Sequence, residues 1–244
     1  MNMLTNGVLT SNKLKILALI FMTIDHIGVM LFPGVIILRM IGRLAFPIFA
    51  YFIGEGIKHT KNRTKYLITL LVFALFCQIV YYISDQSLYM SIFVTFSLSV
   101  LLAYAVDRAI KNKDVNSIFI AICVFFIVIF ISEFLPNILS DTDFRIDYGI
   151  FGILLPLFVY FGKDKKQKIL YFSIGLLLLL AYTKMSDWIV LSVKKTQVMS
   201  LLAIPILMLY NGERGSKKLK YLFYVYYPLH LFVIYLIGTI IMWN

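Results

Sequence analysis

Apolar blocks of bilayer-crossing length fill most of this chain, and few folds accommodate them. They run Ile16–Phe32, Val35–Gly54, Leu67–Ile83, Met90–Val106, Ile118–Leu135, Tyr148–Phe161, Ile169–Tyr182, Val198–Tyr210 and Tyr221–Trp243. A helix crossing the hydrocarbon core needs roughly 20 apolar residues. On that measure the chain is an all-α, polytopic integral membrane protein of about nine transmembrane helices, with eight to ten bracketing the count. The seventh and eighth blocks are short. The stretch between them, with Trp188–Leu191, is open to a re-entrant or interfacial reading.

Composition excludes a soluble fold. The 244 residues are 61% hydrophobic and only 14% charged, against roughly 25% charged in a soluble domain. No segment between blocks is long enough to fold alone, so residues 1–244 are expected to form a single transmembrane domain behind a polar tail over residues 1–13. That tail lacks the charged-then-apolar pattern of a signal peptide, and the first block is expected to stay as a span. Cys77 and Cys123 sit inside apolar blocks without CxxC spacing. They read as apolar fillers, with neither disulfide nor metal expected.

The net charge of +11 is distributed as membrane topology requires, not as nucleic-acid binding does. Basic residues concentrate in 58–65, 108–113, 163–168 and 214–220, each after an even-numbered block. The segments around 33–34, 84–89 and 136–147 are neutral or acidic. Lys184, Lys194 and Lys195 break the pattern. The positive-inside rule places the chain in the cytoplasmic membrane with a cytosolic N-terminus and an external C-terminus.

Ionisable residues inside the blocks each cost at least ~2.5–3.5 kcal/mol on insertion scales and mark functional positions by default. Asp25 and His26 lie in the first block, His26 roughly 16 Å along the helix from Lys15 and so near the bilayer midplane. A neutral imidazole there serves either as a general base or as a packing histidine. As neighbours in sequence, Asp25 and His26 diverge by ~100° and do not face one another. Arg39 and Arg43 enter the second block from the external side, spaced i,i+4. Arg43 falls at the depth of Asp25, and an Asp25–Arg43 pair lowers the burial cost of both, while Arg39 is free to snorkel to the interface. Glu55 reads as an acceptor-binding group or an interfacial carboxylate. His230 follows Pro228 in the last block, where proline frees backbone carbonyls and opens the helix locally. His230 is a second polar group of the site or a packing histidine, and with neighbouring Tyr227 it is a candidate for binding the acceptor. In the inner segments His59, Lys61, Arg63 and Arg214 form basic patches that positive-inside topology explains alone, or that hold the phosphates of a soluble co-substrate.

In order along the chain, residues 14–28, 38–49, Glu55-Gly56, His59-Thr60 and Asn62, 93–98, 141–149, 210–215 and 223–231 resemble the TraX family of membrane proteins. The family's named member is associated with N-terminal acetylation of a conjugative pilin. More broadly the family is similar to transmembrane acyltransferases, which carry a basic residue, ten intervening residues and a histidine in their first helix. Lys15 and His26 match that spacing. Those enzymes also have an arginine pair separated by two residues, whereas three separate Arg39 from Arg43.

The resemblance implies an acetyltransferase that draws on cytosolic acetyl-CoA. Its phosphates would lie near Lys15, His59, Lys61, Arg63 and Arg214, with His26 as general base and Asp25, Arg43 and Arg39 beside it. The acceptor is an amine or hydroxyl of an exported peptide or envelope glycan, and no metal is required. The alternative class is a transporter or flippase that uses the same charges as a substrate or proton path. That class predicts internal pseudo-symmetry, and the sequence has no repeat at a fixed period.

Overall fold

The computed structural model describes residues 7–185, 195–216, 219 and 222–243, with 241–243 as backbone only. Trp188–Leu191, Lys194, Lys220 and Tyr221 lie outside the described residues. The described chain is built of helices, as its blocks require. They are α1 (Ser11–Met30), α2 (Ile36–Gly42), α3 (Ala45–His59), α4 (Arg63–Asp85), α5 (Ile92–Asn112), α6 (Val115–Ile129), α7 (Leu135–Ile138), α8 (Gly149–Phe161), α9 (Lys165–Met185), α10 (Ala203–Met208) and α11 (Leu222–Trp243). A π-turn at Phe130–Phe134 joins α6 to α7, and a 3₁₀ turn at Gln197–Leu202 leads into α10.

Six segments among the described residues are long and apolar enough to cross a membrane: Ile36–His59, Arg63–Asp85, Ile92–Asn112, Val115–Ile138, Lys165–Met185 and Leu222–Ile240. The other three apolar blocks are also helical. Helix α1 has 20 residues but carries Lys13, Lys15 and Asp25, while α8 and Gln197–Met208 are short.

The second block is broken where the sequence gives a reason. Pro47 has no N–H to offer the carbonyl four residues back, that of Arg43, and its ring crowds that carbonyl. Helix α2 accordingly ends at Gly42, and Arg43 and Leu44 form a turn before α3 resumes.

Two compact units make up the chain, one of Met1–Phe52 with Gly162–Asn244 and the other of Ile53–Phe161. In the first, α1 packs against α2 and α11, and α9 against the 3₁₀ turn and α10. Its core holds Leu14, Ala18, Ile48, Phe172, Leu176 and Leu207. Tyr51 stands edge-on to Phe172, with ring centroids 5.5 Å apart. The segment after α10 folds back over the start of α1. Ser11 and Asn12 donate their amides to the carbonyls of Glu213 and Arg214 at 2.8 and 3.2 Å, which satisfies donors the first turn of a helix otherwise leaves open.

In the second unit α5 is central, touching α4, α6 and α8. Its hydroxyls tie it to the chain around α8, Thr95 donating to the Asp147 carbonyl at 2.7 Å and Ser99 to that of Ile153. Small polar side chains of this kind let membrane helices approach closely. Glu133 in the π-turn accepts the Ile150 amide at 2.9 Å. That contact satisfies a donor in the first turn of α8 and explains a carboxylate in the fifth block.

The acidic loop before α8 is stitched to the loop before α5. Asp143 accepts the Leu88 amide at 2.7 Å and the Ser87 hydroxyl, and Tyr89 donates its hydroxyl to Asp147 at 2.8 Å. Burial works to raise the Asp143 pKa, but the hydrogen bonds from Ser87 and Leu88 outweigh it and hold the carboxyl below its ordinary 3.8. A group with a depressed folded pKa stabilises fully above its unfolded pKa and loses that contribution as pH falls through the folded value. Thermal denaturation of the detergent-solubilised chain should therefore show an acid limb beginning below about pH 4. The Asp143→Asn variant should flatten it, and superimposable limbs would remove Asp143 as its source.

Candidate active site

The first unit gathers ionisable residues of the first, second and last apolar blocks. Asp25 on α1 is the acidic centre. Its Oδ2 accepts from Arg39 Nη1 at 2.7 Å, and its two oxygens accept from Arg43 Nη2 at 3.1 and 3.2 Å. Both arginines are therefore on the carboxylate. Arg39 reaches it from the last turn of α2, and Arg43 from the turn that Pro47 imposes. Arg43 is 6% exposed.

Two glycines permit this approach. A Cβ on Gly42 would collide with the Asp25 side chain, and one on Gly28 would come within 2.7 Å of Leu38 Cβ. The hairpin of α1 and α2 closes because neither position carries a side chain.

His26 points elsewhere, as its position beside Asp25 in sequence requires. Its Nδ1 is 2.9 Å from the Met22 carbonyl and 3.0 Å from His230 Nε2. His230 Nδ1 is in turn 2.9 Å from the Tyr226 carbonyl. Carbonyl oxygens only accept, so each Nδ1 carries its hydrogen. The His230 Nε2 lone pair then accepts from His26 Nδ1–H, which is shared with Met22. In the neutral pair the remaining lone pair of His26 is on Nε2. Among the described residues no hydrogen bond occupies that nitrogen.

Tyrosines enclose the two imidazoles. Tyr226 stacks on His230 at 5.3 Å with the rings 9° apart, and its hydroxyl is 2.8 Å from Thr23 Oγ1. Since Thr23 donates to the Leu19 carbonyl at 2.9 Å, the tyrosine is the donor in that pair. Tyr227 stands edge-on to both His26 and His230. The arrangement offers a basic nitrogen beside an arginine-rich carboxylate cluster, as acyl or proton transfer needs.

The chain is matched over residues 10–238 by the profile of the family described as TraX protein. It belongs to the TraX family. Among curated proteins it is 28% identical to the "Probable fimbrial assembly protein FimC, serogroup H1" of Dichelobacter nodosus, over 90% of this chain and 91% of that one. It is also 30% identical to an uncharacterized protein of Rickettsia prowazekii (strain Madrid E), over 64% of this chain and 57% of that protein. No solved structure matches it significantly. The TraX match takes in every site residue from Asp25 to His230.

The remaining sequence candidates are divided between the two units of this TraX-family chain. Lys15 belongs to the first unit, its Nζ 5.3 Å from the Phe52 ring centroid and 5.4 Å from that of Phe223. Arg214 is at the same end of that unit, its carbonyl bonded to Ser11 and Asn12 and its side chain exposed. Glu55, His59, Lys61 and Arg63 belong to the second unit. There Glu55 lies 3.6 Å from His59, and Arg63 is bonded to Asp107 at 2.6 Å and lies over the Tyr104 ring. Lys61 is exposed.

Two buried polar residues escaped the sequence reading. Gln197 and Ser200, 1% and 0% exposed, sit on the 3₁₀ turn, and Gln197 Oε1 is 3.5 Å from Arg43 Nη1. Their signal was a glutamine at the edge of a short apolar block, which looks like a loop residue until its burial is known.

Proposed function

We propose that this TraX-family chain is a membrane-embedded acetyltransferase that moves an acetyl group from cytosolic acetyl-CoA to an amine or hydroxyl of an exported peptide or envelope glycan. The observation that carries the reading is the imidazole pair, His230 buried and His26 half-buried, in which His26 keeps a basic nitrogen uncommitted. The name of the Dichelobacter relative, a fimbrial assembly protein, favours a surface-structure acceptor. The reading takes all nine helical blocks as crossings, with the N-terminus cytosolic.

In the transfer, His26 Nε2 accepts the proton of the attacking amine or hydroxyl. The acceptor atom forms a bond to the acetyl carbonyl carbon, and the carbon–sulfur bond breaks. The departing thiolate recovers the proton from the imidazolium. Arg43 and Arg39, fixed by Asp25, supply positive potential where oxygen charge develops. Lys13, Lys15 and Arg214 at the amino end of α1 suit the phosphates of coenzyme A. Lys15 is eleven residues, or ~16 Å, from His26 along the helix, so the phosphates can stay at the interface while the thioester reaches inward.

The test is binding of acetyl-CoA to the purified chain in detergent, followed by transfer. Saturable binding is expected, weakened about 3- to 10-fold by Lys15→Ala or Arg214→Ala through loss of a charge-assisted contact. Absence of saturable binding would sink the acetyltransferase reading.

A further inference from the structure

Gln197 and Ser200 present a second chemical feature beside the arginines. A 3₁₀ helix turns every three residues, so side chains at i and i+3 eclipse. The two residues therefore share one face of the Gln197–Leu202 turn. Both are wholly buried, and among the described residues neither Gln197 Nε2 nor Ser200 Oγ has a hydrogen-bond partner. The Gln197 amide is oriented by Arg43, whose Nη1 faces Oε1. Nε2 is thereby left pointing away from the guanidinium as a pure donor.

A buried polar group without a partner costs roughly 1–3 kcal/mol, and two on one face next to a cation call for a ligand that accepts hydrogen bonds. Two donors and a nearby guanidinium suit an sp² oxygen with partial or full negative charge. Gln197 Oε1 already faces Arg43, which leaves the serine hydroxyl as the other acceptor of the pair for an amine or similar donor.

We propose that Gln197 and Ser200, beside Arg43, form a subsite for a carbonyl or carboxylate oxygen of the acyl acceptor. The word acceptor rests on the acetyl-transfer reading; the chemistry of the subsite does not. It implies that the acceptor carries an oxygen of this class near the group that is acetylated, as the first peptide carbonyl of an N-terminal residue does.

The test compares three small probes with one alkyl chain: norleucine, norleucinamide and n-pentylamine, which bear a carboxylate, a neutral carbonyl and neither. Binding to the detergent-solubilised full chain is read by thermal stabilisation, with acetyl-CoA binding measured on the same preparations. Norleucinamide or norleucine should bind about 3- to 10-fold more tightly than n-pentylamine, the worth of a hydrogen bond or two. The better of the two shows whether the subsite takes a carbonyl or a carboxylate. Gln197→Glu keeps the shape and the oxygen facing Arg43 but removes the donor, and should erase that preference. Ser200→Ala should reduce it. Equal binding of all three probes, or a preference that survives Gln197→Glu, overturns the subsite. Such a result with acetyl-CoA binding intact leaves the transfer reading standing, whereas loss of acetyl-CoA binding alone overturns only that reading.

Discussion

On the proposed acetyl-transfer reading, His26→Ala is expected to lower transfer by about 10²–10⁴-fold, the range a positioned general base contributes, while acetyl-CoA binding stays within about twofold. The expectation rests on which nitrogen holds the proton. Met22 and Tyr226 carbonyls fix hydrogens on both Nδ1 atoms, so His230 accepts from His26 and orients it. His230→Phe should therefore lower the rate less than His26→Ala, because it removes the orienting partner and leaves the base. His230→Gln, which retains an acceptor, should recover part of that loss. Single-turnover rates at saturating acetyl-CoA separate these effects from binding. A His26→Ala rate equal to wild type would remove His26 as the base. Equal losses at the two histidines would instead mean that the pair acts as one unit.

The pairing of Asp25 with Arg43 was legible because it follows from cost. A carboxylate and a guanidinium at matched depth in neighbouring antiparallel segments must neutralise each other or be excluded. Arg39 was not decidable in this way, since a long side chain near an interface can snorkel; the 2.7 Å bond to Asp25 decides it. His26 and His230 were placed at one site by depth, but their direct contact depends on helix rotation, which periodicity in an all-apolar segment does not report. The break at Arg43 was readable from Pro47, although the second block otherwise looks continuous. Gln197 and Ser200 were hidden because a polar residue at the end of a short block has no fixed depth. Arg63 is bonded to Asp107, a partner 44 residues away that no local pattern reveals.

Asp25→Ala should be the most destabilising single change in the first unit, at about 3–5 kcal/mol, the cost of stripping one member from a buried ion cluster. Asp25 and Arg43 side chains are 17% and 7% exposed, so water screens the abandoned charge poorly. Two further features make the site unable to adapt. Gly42 faces Asp25 with bare backbone, so no side chain moves into the space the carboxylate leaves. The Arg43–Leu44 turn, where Pro47 interrupts the helix, fixes the backbone from which the guanidinium reaches Asp25. Asp25→Asn keeps the volume and should cost less than Asp25→Ala, because an amide oxygen still accepts one arginine. Asp25→Ala combined with Arg43→Met should be more stable than Asp25→Ala alone, since the double change removes the more buried of the two charges that the lost carboxylate strands. Denaturation of wild type, Asp25→Ala, Arg43→Met and the double variant in the same detergent measures the cycle, with Asp25→Asn beside them. If the double variant falls below the single one, the carboxylate was not neutralising Arg43, and the cluster is held by the arginines' other contacts.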